Sequence, residues 1–77
     1  MQFWEALYAA AKSRSVPTTH IGPKLGMSKE YVANGKSRSV DTSIGRCIKL
    51  LETVGYSLWI VPDEEDMPDS AMKVDIV

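Results

Sequence analysis

Apolar residues near the N-terminus recur with the period of an α-helix. Phe3, Trp4, Leu7, Tyr8 and Ala11 lie three or four residues apart, or side by side, and this spacing gives a helix one apolar face. We therefore expect a first helix over residues 2–13, ended by the segment 13–17. Its aromatic side chains are expected to belong to the core rather than to a ligand site.

A second apolar stripe predicts the last helix of the chain. Asp41 or Thr42 can cap its N-terminus, because a short polar side chain accepts a hydrogen bond from a free backbone amide there. Gly55 is expected to end it. The residues expected to face inward are Ile44, Cys47, Ile48, Leu51 and Val54.

Between these helices, residues 18–35 read TTHIGPKLGMSKEYVANG and carry the pattern of a helix-turn-helix. Gly22 permits a close approach of two helices, and Gly26 supplies the positive φ of a tight turn. Ser28 can cap the next helix. Two short helices in this arrangement cross at roughly 90–120°. The apolar residues expected to clamp them together are Ile21, Leu25, Met27 and Val32.

The limits of these two helices depend on Pro23 and Gly35. We expect the second helix to begin at Thr18 or Thr19, and to be kinked or to begin late, because Pro23 removes an amide donor and disfavours a helical Gly22. The third is expected from Ser28 to about Lys36, closed by Gly35 in a left-handed cap. Asn34-Gly35 is also typical of a hairpin turn, but its neighbours do not alternate like paired strands.

The C-terminal part changes from helical to β-type patterning. Residues 56–61 read YSLWIV, bounded by Gly55 and Pro62, and a second alternating run covers 72–77. A single strand is unstable alone. Leu58, Trp59 and Ile60 are therefore expected to form the seam of a two-fold dimer, and a hairpin with 72–77 within a monomer is the alternative.

Charge divides the 77-residue chain at about the same place. Residues 1–60 contain eight Lys and Arg against four Asp and Glu, a net charge of +4, whereas residues 61–77 contain one Lys against six acids, −5. We expect one small domain over 1–62 and an acidic tail over 63–77. The basic body suits contact with phosphates. The tail is a solvated segment, a self-shielding arm or a docking segment for a basic partner.

The residues that would support catalysis or metal binding are few. The chain has one histidine, His20, and one cysteine, Cys47, so an internal disulfide and a cysteine-based zinc site are excluded. We expect His20 to be solvated and Cys47 to be a small core residue. Since no nucleophile–base or metal-ligand grouping can be assembled, we expect neither an enzyme nor a cofactor. Without a membrane span or secretory signal, the expected location is the cytoplasm.

The motifs IGPKLGMS and LLETVGYSL resemble those of Cro/cI-type (XRE-like) helix-turn-helix DNA-binding proteins, and the similarity extends from Pro17 to Leu58. The short N-terminal MQFWEAL and the strand after GYSL are similar to small phage-derived or HipB-like antitoxin members. The resemblance implies a mostly α, four-to-five-helix lambda-repressor-like domain. Its short C-terminal strand or hairpin would serve dimerisation.

The resemblance also implies which residues contact DNA. Positions that read base edges correspond to Lys29, Glu30 and Asn34, whose side chains suit guanine, cytosine and adenine respectively. Tyr31 either contacts the DNA backbone or covers the junction with the last helix. The other expected phosphate contacts are Thr18, Thr19, Ser28, Lys36, Ser37 and Arg38.

Together these features predict a sequence-specific transcription regulator, a repressor type bound as a homodimer to a palindromic site on double-stranded DNA. The predicted recognition helix at 28–36 would lie in the major groove. The alternative is a protein-interaction module, an antitoxin or phage inhibitor, whose acidic tail binds a toxin or another protein. The two roles can coexist in one chain.

Overall fold

The structure, a computed structural model, describes residues 2–61 and 71–75 and is mostly helical. The acidic run 63–69 and the end of the predicted second strand, residues 76 and 77, lie outside the described residues. A 3-10 turn, Thr18–His20, leads directly into the second helix. The elements are α1 (Phe3–Ser13), α2 (Ile21–Lys24), α3 (Tyr31–Arg38), α4 (Ile44–Glu52), β1 (Leu58–Ile60) and β2 (Met72–Val74).

The core lies between α1, α2, α3 and α4. Four side chains in it are almost completely buried: Leu7, Ile21, Val32 and Leu50. The apolar stripe of α1 faces this core, with Trp4, Leu7 and Ala11 buried and Phe3 and Tyr8 packed at its edge. The prediction for the first helix is therefore confirmed in both its limits, within one residue, and its inward face.

The inward face predicted for the last helix is partly wrong. Ile44 is 65% exposed, because it lies in the first turn of α4, ahead of the residues that the core covers. Leu50 was not predicted, yet it is completely buried. α4 is covered on two sides, since Leu50 and Leu51 face the core while Ile48 lies beside the hairpin residues Leu58 and Val74. A single stripe cannot describe such a helix.

The predicted caps of the helices need correction. Ser43, rather than Asp41 or Thr42, caps α4: its Oγ accepts a hydrogen bond from the Arg46 backbone N–H at 3.2 Å. Ser28 does not cap α3, which begins three residues later at Tyr31, after Glu30.

Gly35 does not close α3 as predicted, because the helix continues to Arg38 and ends at Ser39, with φ 50°. Gly35 is buried inside the helix, and a Cβ there would lie 2.5 Å from ring atoms of Trp4. The Trp4 indole N–H also donates to the Val40 carbonyl at 2.9 Å. Gly35 therefore serves the contact between α1 and α3 rather than a turn.

The C-terminal residues form an antiparallel hairpin within one chain. Leu58 pairs with Val74, Trp59 with Lys73 and Ile60 with Met72, so β1 is shorter than the predicted 56–61. Leu58 and Val74 are half-buried and their face turns toward the domain, whereas Trp59 lies on the other face with 43% of its surface exposed. The hairpin alternative is thus confirmed within the chain, and pairing with a second copy stays a prediction.

None of the helices in the described part of the chain is long and apolar enough to cross a membrane.

Candidate nucleic-acid interface

The unit formed by α2, the following turn and α3 depends on two glycines. A Cβ on Gly22 would collide with the Ser28 carbonyl oxygen and would lie 3.1 Å from the Tyr31 Cβ. Gly26 has a φ of +75°, and the next amide, of Met27, donates to the Gly22 carbonyl at 2.9 Å. Both predicted glycine roles are therefore confirmed, because one permits close approach and the other permits the turn.

Pro23 is accommodated because α2 begins late. The helix starts at Ile21, after the 3-10 turn at Thr18–His20, so Pro23 lies in its first turn. Backbone amides in the first turn have no partner inside the helix, and a proline there costs no hydrogen bond. The sequence predicted either a kink in the second helix or a late beginning, and the late beginning is observed.

The side of α3 opposite the core is open to solvent. Val32 and Gly35 are buried on the inner side, and Ala33, Asn34 and Ser37 are exposed on the outer side. Of the three predicted base-reading residues, Asn34 lies within α3, whereas Lys29 and Glu30 lie in the turn that leads into it. All three are exposed, but the structure does not place them together on one helix, because α3 begins after Lys29 and Glu30.

The predicted phosphate contacts lie on α3, between α2 and α3, and in the 3-10 turn before α2. Lys36 and Arg38 lie about 200° apart around the α3 axis, since successive residues differ by about 100°. The Lys36 Nζ is 5.0 Å from the ring centroid of Tyr8, toward α1. Thr18 and Thr19 lie in the 3-10 turn, Ser28 lies between α2 and α3, and Ser37 donates to the Asn34 carbonyl at 3.3 Å.

The cations near α3 are not neutralised by nearby acids of the described chain. Within residues 2–61 and 71–75, the ion pair present joins Lys73 and Asp75 of the hairpin region at 3.8 Å. Lys29, Lys36 and Arg38 therefore have no carboxylate within ion-pair distance in this part of the protein. Such cations can exchange their counterions for phosphates.

A cleft of about 160 Å³ opens on the Arg38 side of α3. Arg46 of α4 lies beside it, with its guanidinium carbon 6.0 Å from the ring centroid of Tyr31. Trp4 and Arg46 were not predicted at this interface, because the packing of α1 and α4 around α3 brings them there and no local motif marks them. The residues that line the cleft are Trp4, Ser28, Tyr31, Asn34, Gly35, Arg38 and Val40.

Tyr31 covers the junction between α3 and α4, which was one of its two predicted roles. Its ring is half-buried, meets Trp4 edge-on at 6.3 Å between centroids and lies under Arg46. A contact with the DNA backbone stays a prediction for the same residue.

The histidine and the cysteine lie apart from α3. His20 is exposed, as predicted, and Cys47 is half-buried rather than fully in the core. Burial raises the pKa of the Cys47 thiol above its ordinary value. Among the described residues, no three His, Cys, Asp or Glu side chains are grouped so as to hold a metal ion.

Comparison of the chain with protein-family models, with curated proteins and with solved structures finds no significant match. The geometry of α3 and its surroundings is therefore the basis of the functional proposal.

Proposed function

We propose that this protein is a non-enzymatic, sequence-specific DNA-binding regulator that inserts the outer side of α3 into the major groove. The observation that carries the proposal is the exposed outer side of α3, flanked by Lys36 and Arg38 without a neighbouring carboxylate in the described chain. α3 has eight residues, and an α-helix with its side chains is about 10–12 Å in diameter. The major groove is about 12 Å wide and admits a helix.

The chemistry of the exposed side chains supports reading of bases. The Asn34 amide can bind N6 and N7 of adenine in a bidentate manner, and Lys29 can donate to guanine. Glu30 can accept from N4 of cytosine. Because Lys29 and Glu30 precede α3, they would reach the base pairs at the N-terminal end of the helix, next to the pair that Asn34 reads.

The hairpin supports the dimer that the proposal includes. Trp59, Ile60 and Met72 are 43%, 57% and 60% exposed, and the outer edge of β1 has no neighbouring strand in the described chain. A second copy could pair with β1 along Leu58, Trp59 and Ile60 and cover these side chains. Two-fold pairing would set the separation of the two α3 helices, which must be about 34–36 Å for successive turns of DNA.

The proposal is tested with two substitutions on a duplex enriched from a random-sequence pool. Asn34→Ala should cost about 1–3 kcal/mol of binding free energy and relax the preference at one base pair. Arg38→Ala should weaken all sequences alike and lower the slope of log affinity against log salt by about one per bound protomer. Fluorescence anisotropy at several salt concentrations measures both effects, and unchanged preference in Asn34→Ala would place base reading elsewhere.

A further inference from the structure

We propose that the cleft between α3 and Trp4 is a binding site for a single phosphodiester of the DNA backbone, completed by Arg46 of α4. This inference rests on the proposed function and specifies which residues contact the phosphates on one side of the major groove. The ligand is the phosphate together with its deoxyribose. The phosphate would lie between the guanidinium groups of Arg38 and Arg46, with the sugar against Tyr31.

The position of the cleft around α3 fits a groove wall. Asn34 points to the groove floor in the proposed complex, and Arg38 is displaced from it by about 40° around the helix axis toward the cleft. Tyr31 lies about 60° from Asn34 in the same direction. When a helix lies in the major groove, residues displaced to its sides face the phosphates that border the groove.

The donors around the cleft are unoccupied. None of the side-chain hydrogen bonds formed within residues 2–61 and 71–75 uses the side chains of Ser28, Asn34 or Arg38. Arg46 uses its backbone amide for the Ser43 cap and leaves its guanidinium group over the Tyr31 ring. Several hydrogen-bond donors, among them the Arg38 guanidinium group, therefore line a space of about 160 Å³, and the Arg46 guanidinium group lies beside Tyr31, one of its lining residues.

The floor of the cleft is rigid, which favours a specific contact over a diffuse one. Trp4 is only 5% exposed and is fixed by its hydrogen bond to the Val40 carbonyl. Tyr31 is fixed in turn by its edge contact with Trp4. Arginine binds phosphates in a planar, bidentate manner, and a guanidinium group held over an aromatic ring loses less freedom on binding.

The opposite side of α3 provides the contrast. Lys36 is the cation there, and its ammonium nitrogen lies 5.0 Å from the ring centroid of Tyr8. A point charge on a flexible stem is suited to a non-specific contact. The two walls of the groove would therefore be contacted differently, one by guanidinium groups beside a cleft and the other by a single ammonium group.

The test compares Arg46→Gln with Lys73→Gln, which removes the same charge from the hairpin. On the enriched duplex, Arg46→Gln is expected to weaken binding about tenfold per bound protomer near 0.1 M salt and to lower the salt slope by about one per protomer, because one contact contributes about 0.9 log unit per decade of salt. Lys73→Gln should change neither. Arg38→Gln is measured in parallel and should resemble Arg46→Gln.

Duplexes with one phosphate at a time replaced by a neutral methylphosphonate identify the contact. One position in each half-site should weaken the wild-type protein about tenfold, as the loss of one contact predicts, and should have no further effect on Arg46→Gln. The cleft proposal is overturned if Arg46→Gln binds as Lys73→Gln does. It is also overturned if every methylphosphonate weakens Arg46→Gln as much as it weakens the wild-type protein. In both cases the proposed function stands. If the wild-type protein enriches no duplex, the proposed function itself fails.

Inorganic phosphate distinguishes the backbone from the free ion as the ligand. At constant ionic strength, it should leave the amide resonances of Ser28 and Tyr31 unchanged, whereas the duplex should shift them. Equal shifts with inorganic phosphate would assign the cleft to a free anion and refute the proposal.

Discussion

Replacement of Gly35 by alanine tests the contact that fixes α3 to the domain. Alanine in a helix is favoured over glycine by about 1 kcal/mol. However, the new Cβ would lie 2.5 Å from ring atoms of Trp4, far inside the 3.5–4.0 Å that carbon atoms prefer. The indole cannot move freely, because it is buried and donates to the Val40 carbonyl. Overpacking of this kind costs about 1–3 kcal/mol.

At the upper end of that range, which the immobile indole favours, the two effects leave a net loss of about 2 kcal/mol in the free energy of unfolding. Urea denaturation followed by far-UV circular dichroism measures it. Gly45→Ala is the matched control, because Gly45 lies in α4 and a Cβ there meets nothing within 4 Å. That variant should gain about 0.5–1 kcal/mol.

The same substitution in a Trp4→Phe variant identifies the group with which the new Cβ collides. Trp4→Phe removes the outer ring atoms that the new Cβ would approach, so Gly35→Ala should cost less in Trp4→Phe than in the wild type. If Gly35→Ala stabilised the protein as Gly45→Ala does, the close packing of Trp4 on α3 would be refuted.

Two further predictions concern the hairpin and the cysteine. Trp59→Asp should convert a dimer into a monomer in sedimentation at micromolar concentration, because it places a charge in the proposed seam; a wild-type monomer, or a dimeric variant, would contradict the seam. Cys47 should react more slowly with iodoacetamide in the folded chain than in the urea-unfolded chain, because burial raises its thiol pKa. The same shift should leave the free energy of unfolding unaffected below pH 9.0, the ordinary thiol pKa. Above that pH the free energy of unfolding should fall, because the thiol of the unfolded chain loses its proton at lower pH than the thiol of the folded chain. A Cys47→Ser control should lack this fall.

The elements that depend on local pattern could be predicted from the sequence. The α1 stripe has a single buried face, so its spacing alone indicates both the helix and its core side. Gly22 and Gly26 act within one short segment, where close approach and positive φ leave a readable pattern. The hairpin was one of two predicted pairings for β1.

The elements that depend on distant contacts could not be predicted in the same way. Gly35 resembles a helix end in the sequence, but its role is set by Trp4, which is far away in the chain. The two-sided burial of α4 arises from the core and the hairpin together, so Leu50 does not belong to a single stripe. Arg46 reaches Tyr31 only because the fold brings the start of α4 near the start of α3, and no local motif encodes that packing.

Selection from a random duplex pool measures whether the outer side of α3 reads DNA sequence. The purified protein is incubated with duplexes that contain a random central region, at about 0.1 M salt, where phosphate contacts alone give only weak affinity. A two-fold symmetric motif with half-sites about one helical turn apart should be enriched, and Asn34→Ala should lose or relax the preference at one base pair in each half-site. A pool that shows no enriched sequence, or a motif that Asn34→Ala leaves unchanged, would refute sequence reading by α3.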